Sequence, residues 1–468
     1  MHQLEGSDSI FLALETPDAP GHVGGLTVLD PSDSPDFSFE RVCEVVNERM
    51  RLEPRYTRKL VEVPFGLDRP YFVEDTDFDV SRHVHRIAVP SPGGIRELAE
   101  LAGELYRRPL DRDRPLWEMW FIEGAENGRV AMLMKSHHCL MDGMSSAGLG
   151  ELLCDLEPEP KNGPILPPSQ DTPDAEPPSA WDLAWGAARN VATTPARMMN
   201  FTGAMLKQTA AAVISSLRDD DAPPLPTQVP ATSFNQPVGP RRALAAATLP
   251  LADIKAIKKH FDVTVNDVIL AITSSAVRRY LEKREELPEE SLVAMIAVST
   301  RDEGDDSTGN SVTSAPVRWC TDVKNPLKRL KRIHKHAAKT KEFVKNHDTD
   351  MLAGMGEAMP PALTGLLMRA NSAGLGMPGN VVVSNVRGTP VPLYVAGAKI
   401  ECMYPLSLLV SGQGLNITVV SYMDRVDVGF TVDPDQVSDP WALADGIAKG
   451  RDELLAAMES ELHGGATA

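Results

Sequence analysis

Short apolar runs bounded by turn residues alternate along this chain with longer stretches whose apolar positions recur every three or four residues. The first pattern predicts strands and the second amphipathic helices. In the first half, strands are predicted at His22–Leu29, Tyr71–Val73, Val84–Val89, Met119–Glu123 and Val130–Lys135, and helices at Phe39–Arg51, Gly94–Tyr106 and Ser145–Leu153. In the second half, a strand at Arg242–Leu249 precedes helices at Leu251–His260 and Val265–Lys283. A strand at Leu292–Ser299, a helix at Leu327–His347, strands at Val381–Ser384 and Asn416–Met423, and a closing helix at Pro440–Glu461 follow. Strands and helices interleave in both halves, which predicts an α/β or α+β class with two sheets.

Composition divides the chain. Residues 157–180 and 219–240 are dense in proline, as linkers are. Between them, Trp181 to Arg218 reads as helical and apolar, with an interruption at Thr193-Thr194-Pro195. The organisation read from this is an N-terminal domain over 1–156, a proline-rich linker with an apolar helical segment over 157–240, and a C-terminal domain over 241–468. The apolar stripe of Met198, Phe201, Met205, Leu206, Val213, Ile214 and Leu217 suits packing on the protein's own body or contact with a lipid surface.

At 468 residues the chain exceeds one ordinary domain, and 42% apolar with 24% charged residues is the composition of a globular protein. No stretch approaches the ~18 uninterrupted apolar residues of a membrane span, and Met1 to Gly6 predicts no secretory signal. Cys43, Cys139, Cys154, Cys320 and Cys402 are odd in number and scattered, so reduced thiols in a cytoplasmic setting are expected, with no disulfide framework or zinc site. The net charge of −18 disfavours nucleic acid as a partner. An anionic ligand then needs a local basic patch, and the richest is Lys328, Arg329, Lys331, Arg332, Lys335, Lys339, Lys341 and Lys345. Those residues suit phosphate binding or a solvated helical face.

The densest chemistry lies in His137-His138-Cys139-Leu140-Met141-Asp142-Gly143, directly after the strand at 130–135. Histidine takes and returns a proton near neutral pH. Taken alone, the pair suits a catalytic base, a metal site or a buried core histidine. Glycine permits a tight turn or a close backbone approach.

Further segments recur in order around this run: Pro115-Leu116-Trp117, Thr264-Val265-Asn266-Asp267-Val268-Ile269-Leu270-Ala271, Ser384-Asn385-Val386-Arg387-Gly388, and Gly414 to Tyr422. Together they resemble the bacterial wax ester synthase/diacylglycerol acyltransferase family, within the coenzyme A-dependent, condensation-domain-like superfamily. The resemblance spans nearly the whole chain. It implies two chloramphenicol-acetyltransferase-like domains, each a mixed sheet with helices, and an active-site tunnel at their interface. It also implies acyl transfer from acyl-coenzyme A to diacylglycerol or a long-chain alcohol, with acyl-coenzyme A as co-substrate, no resident cofactor and no metal. Its cellular counterpart is a cytoplasmic protein in peripheral contact with the membrane or with lipid droplets. The one departure is Arg387, where the family's Asn-Val-Pro-Gly-Pro run has proline; this removes a fixed φ from that turn.

By the resemblance, His138 is the general base and His137 a neighbour that positions the loop or packs. Asp142 either orients His138 or braces the loop through a buried arginine, with Arg301 as candidate partner, and Gly143 lets the backbone turn. Asn266 is a candidate oxyanion donor, tunnel wall or cap of a helix beginning at Asp267. Pro115, Leu116 and Trp117 pack near the channel, and Asn385 shapes a loop at the domain interface. The alternatives are a condensation-type transferase using a carrier-protein thioester, and a non-catalytic lipid-droplet protein.

Overall fold

The computed structural model describes residues 2–140, 150, 152–159, 179–219, 221–299, 312–346, 351–371 and 378–464. Its strands in chain order are β1 (His2–Gln3), β2 (His22–Asp30), β3 (Arg58–Val61), β4 (Tyr71–Glu74), β5 (Val84–Ala88), β6 (Trp117–Ala125), β7 (Arg129–His137), β8 (Ala243–Pro250), β9 (Val293–Ser299), β10 (Val312–Arg318), β11 (Val381–Val386), β12 (Tyr394–Val395), β13 (Ala398–Leu406), β14 (Leu415–Tyr422) and β15 (Arg425–Val432). The helices used below are α1 (Gly6–Leu14), α2 (Phe39–Met50), α3 (Ile95–Tyr106), α4 (Ala180–Arg218), α5 (Leu251–Phe261), α6 (Val265–Lys283), α7 (Pro326–Asn346), α8 (Met351–Ala358), α9 (Pro361–Asn371) and α10 (Pro440–Gly464).

Two six-stranded mixed sheets form the frame, ordered β12-β13-β2-β7-β6-β5 and β10-β9-β11-β14-β15-β8, beside a small β1-β4-β3 sheet. The class is therefore mixed α/β. The C-terminal half contributes to both large sheets, because β13 leaves it to pair against β2 and carries β12 on its outer edge. The sheets touch where β13 meets β15: a Cβ on Gly429 would lie 1.9 Å from the Pro405 carbonyl oxygen, so only glycine fits there. Leu26, Leu98, Leu133, Leu244, Cys402 and Leu406 join the halves in one apolar cluster.

Local chemistry explains the best-defined elements. Helix α6 starts where Thr264 and Asp267 form a reciprocal capping box, each side chain bonding the other's backbone amide. Burial along β7 is nearly continuous, as expected for a strand covered on both faces. Helix α4 runs unbroken through Pro195 where an interruption was predicted. Proline removes the amide that the Val191 carbonyl would accept; one position earlier the Thr194 hydroxyl and the Arg197 guanidinium both donate to the Asn190 carbonyl (2.8 and 3.2 Å), adding side-chain ties across that turn. No helix among the described residues is long and apolar enough to cross a membrane.

Candidate functional site

The site is built at the end of β7. That strand is flanked by β2 and β6, and its last residue, His137, faces His22 across the ladder. The chain then tightens into a single 3-10 turn, His138–Leu140, with α1 packed over it. Behind the strand, the Pro115-Leu116-Trp117 segment fixes the register. The Leu116 carbonyl accepts the His137 amide (2.9 Å), and the Trp117 indole donates to the Tyr56 carbonyl (2.8 Å) while stacking on His83. Leu116 and Trp117 are buried, so this segment is packing behind the site.

The two histidines differ sharply. His137 has both ring nitrogens engaged: Nε2 lies 2.8 Å from Glu15 Oε2, and Nδ1 accepts the Cys139 amide at 3.2 Å. With Nδ1 accepting, Nε2 carries the hydrogen and donates it to the carboxylate. By contrast, Nδ1 of His138 is buried with no hydrogen-bond partner among the described residues. Phe11 of α1 lies flat on the His138 ring, centroids 3.7 Å apart. Burial, assisted by the neighbouring His137, pushes the His138 imidazole down to about 4. The ring is therefore neutral at physiological pH, the form that can accept a proton.

Glu15, which the sequence did not single out, is central to this arrangement. Burial alone would raise its carboxyl. The hydrogen bond and attraction to His137, with Arg112 and the Gly21 amide, outweigh that and hold it at about 2. Glu15 and Arg112 also line a cavity of about 330 Å³ walled by Leu12, Val63, Pro361 and Ala362, between α1, the β3–β4 connection and α9. No local pattern marks Glu15, since it lies 122 residues from its partner.

The cysteine of the motif is buried, in a setting that disfavours its thiolate. Burial, then the charges of Asp8 and Glu15, push the Cys139 thiol well above its ordinary range. Among the described residues no group of three or more His, Cys, Asp or Glu is arranged to hold a metal. Asp142 and Gly143, like Arg301, lie outside the described residues.

In the second half, Asn266 and Asn385 are brought together, the Asn385 amide donating to Asn266 Oδ1 at 3.4 Å. Asn266 does not cap its helix; Thr264 does, one residue before the helix begins at Val265. Asp267 is buried, accepting from the Thr264 amide at 2.9 Å and lying 2.7 Å from His334 Nδ1, so its role is to hold α6. The cationic helix α7 is largely paired inside the chain. Lys335 meets Asp221, Lys339 meets Asp219, and buried Arg329 meets Glu453.

Two six-stranded mixed sheets, one of them holding a strand exchanged from the other half of the chain, make a condensation-domain-like fold. A solved condensation domain of the calcium-dependent antibiotic synthetase shares it, with a TM-score of 0.58 at 14% identity over 96% of each chain. The chain belongs to the wax ester synthase/diacylglycerol acyltransferase family: the family's catalytic-domain model matches residues 4–269 and its C-terminal-domain model residues 308–454. A putative diacylglycerol O-acyltransferase of Mycobacterium tuberculosis is 33% identical over 99% of this chain and 92% of its own. A probable diacylglycerol O-acyltransferase of the same species, Tgs2, is also 33% identical, over 92% of this chain and 93% of its own. The solved wax ester synthase/diacylglycerol acyltransferase from Marinobacter aquaeolei superposes with a TM-score of 0.70 at 28% identity, covering 98% of this chain and all of that one. This chain is an acyltransferase enzyme of that family.

Proposed function

We propose that this acyltransferase moves a long-chain fatty acyl group from acyl-coenzyme A to the hydroxyl of diacylglycerol or of a long-chain alcohol, with His138 as general base. The observation that carries the reading is the contrast between the histidines: His137 is saturated by Glu15 and the Cys139 amide, while His138 is neutral with Nδ1 unpaired. The relatives named as diacylglycerol O-acyltransferases support the acceptor class.

In the reaction, His138 takes the hydroxyl proton as the alcohol oxygen attacks the thioester carbonyl. The tetrahedral intermediate collapses, the carbon–sulfur bond breaks, and His138 returns the proton to the departing thiolate. An ester and free coenzyme A result, with no acyl-enzyme and no resident cofactor. On this reading Asp142 braces the loop after His138, Gly143 lets it turn, and the Asn266–Asn385 amide pair walls the acceptor channel.

Purified protein with palmitoyl-coenzyme A and either diacylglycerol or hexadecanol should release thiol only when acceptor is present. His138→Ala should lower that rate by about 10²–10⁴-fold. Acceptor-independent thiol release, or full activity in the His138 variant, would overturn the reading.

Peripheral lipid contact belongs to the same proposal. Helix α4 exposes Trp181, Trp185, Met199, Leu206 and Leu217, and Ala187 is the one residue it buries. Its side chains carry four cations (Arg189, Arg197, Lys207, Arg218) against Asp182, on a chain of net charge −18. Apolar exposure flanked by cations suits an anionic lipid surface. Replacing Trp181, Trp185 and Leu217 with serine should reduce co-sedimentation with anionic phospholipid vesicles by at least tenfold; unchanged binding would remove α4 from that role.

A further inference from the structure

We infer that Glu15 is a positioning residue that holds the His138 turn by two backbone routes at once, an inference that rests on His138 being the base. The first route runs through the neighbouring side chain. Glu15 Oε2 accepts from His137 Nε2 (2.8 Å), which leaves Nδ1 of that ring to accept the amide of Cys139 (3.2 Å), the residue just after the base. The second route runs through Gly21. Its amide donates to the same Glu15 oxygen (2.9 Å), and its carbonyl accepts the amide of His138 itself (2.9 Å). One carboxylate oxygen therefore anchors the backbone on both sides of the base.

The carboxylate is itself held. Its other oxygen, Oε1, accepts from Arg112 at 3.2 Å, and the same guanidinium donates to Glu62 at 2.7 Å. Space around the ring of bonds is closed: a Cβ on Gly21 would lie 2.5 Å from His137 Nε2 and 2.9 Å from Glu15 Oε2. Glycine at 21 is thus a condition of the arrangement. Glu15 touches no reacting atom in this account. It makes His137 a strut: with Nε2–H held by the carboxylate, the ring's free lone pair is on Nδ1, and the Cys139 amide occupies it, which keeps that histidine out of proton transfer.

The charge-free isostere separates position from charge. In Glu15→Gln the amide oxygen can still accept from both His137 and Gly21, whereas in Glu15→Ala neither route survives. The expected result is that Glu15→Ala lowers kcat about 10²-fold, the cost of a misplaced catalytic group. The KM for palmitoyl-coenzyme A should move less than threefold. Glu15→Gln should recover kcat to within about tenfold of wild type. Because only one of the two routes passes through His137, the double variant Glu15→Ala/His137→Ala should be slower than His137→Ala alone, yet by clearly less than the full Glu15→Ala loss.

A Glu15→Ala enzyme with kcat within threefold of wild type overturns the inference, as does a loss carried by KM or multiplicative losses in the double variant. Should Glu15→Ala fail to fold, Glu15→Gln decides. A natively melting Gln variant more than a hundredfold slower than wild type would show that position alone does not suffice, and would also overturn it. His138→Ala separates the two levels. If it remains active, the base reading falls; if it is dead while Glu15→Ala is unimpaired, only the present inference falls.

Discussion

Replacing Phe11 with alanine should move the pH dependence of catalysis upward. The Phe11 ring covers one face of His138 at 3.7 Å with an interplanar angle of 19°. Burial is the largest cause holding that imidazole at about 4 in place of 6.5. Such a depression corresponds to about 3 kcal/mol, at about 1.4 kcal/mol per pH unit. In the native enzyme the neutral, proton-accepting form therefore predominates at every pH above about 4. The profile of kcat/KM, which reports the free enzyme, should be flat from neutrality down to about pH 5. Alanine opens the ring to water, and relief of even half the depression lifts the inflection by at least one pH unit, toward 6.5.

The stability profile should follow with a definite sign. Between the folded value of about 4 and the unfolded 6.5, the unfolded chain binds a proton that the folded chain refuses. Native stability therefore falls as pH drops through that window, and the Phe11 variant should show a narrower window. The measurement is ester formation quantified directly from pH 4.5 to 8, in parallel with thermal melts. An inflection at the same pH in both proteins, or a wild-type inflection near 6.5, would refute the reasoning.

Three further outcomes are expected. Gly21→Ala places a methyl group about 1 Å inside ordinary contact with the His137 ring, so activity should fall about 10²-fold with a lowered melting temperature; an unaltered enzyme would show that the ring has room to move. Cys139→Ala should keep activity within threefold, and the native thiol should resist alkylation until the protein unfolds, because Cys139 is buried and its thiol is raised well above the usual range; rapid labelling of that cysteine in the folded protein contradicts this. Asp155→Ala strands the buried Arg49 guanidinium, now paired at 2.7 Å, and should destabilise the fold by about 3–5 kcal/mol in denaturant titration; a loss below 1 kcal/mol would mean the pair is solvated.

Where the chemistry is local, the sequence was a good guide. The span of α6 was legible from its apolar helical run, although the cap offered for it, Asn266, is in fact Thr264. Strand β7 was legible because Val130 to Met134 form a continuous apolar run shortly before the histidines. Elements whose reason for existing is distant were harder. Strand β13 alternates Ala398, Ile400 and Cys402 with Lys399 and Glu401, a true period-2 signal, but its polar interruptions hide it among loops. Strand β15 follows β14 through a turn in which Met423 has φ of 52°, a conformation no methionine advertises in sequence.

The site shows the same division. His137 and His138 announce themselves by adjacency, and Asn266 and Asn385 stand in recognisable runs. That the two asparagines meet is set by β11 lying beside α6, a tertiary fact. The cationic helix stayed open between an anion site and a solvated face because its partners Asp219, Asp221 and Glu453 lie elsewhere in the chain.

The strand exchange between the halves has a consequence for biosynthesis. Strand β2 is complete by Asp30, yet its outer neighbour β13 ends at Leu406. At about 5–20 residues per second, the ribosome delivers that neighbour only tens of seconds later. Throughout that interval β2 presents an unpaired edge, the kind of surface that recruits strands from other chains. The nascent N-terminal half is therefore a natural client for a chaperone, and a gene truncated before codon 398 should yield inclusion bodies in place of a working half-enzyme.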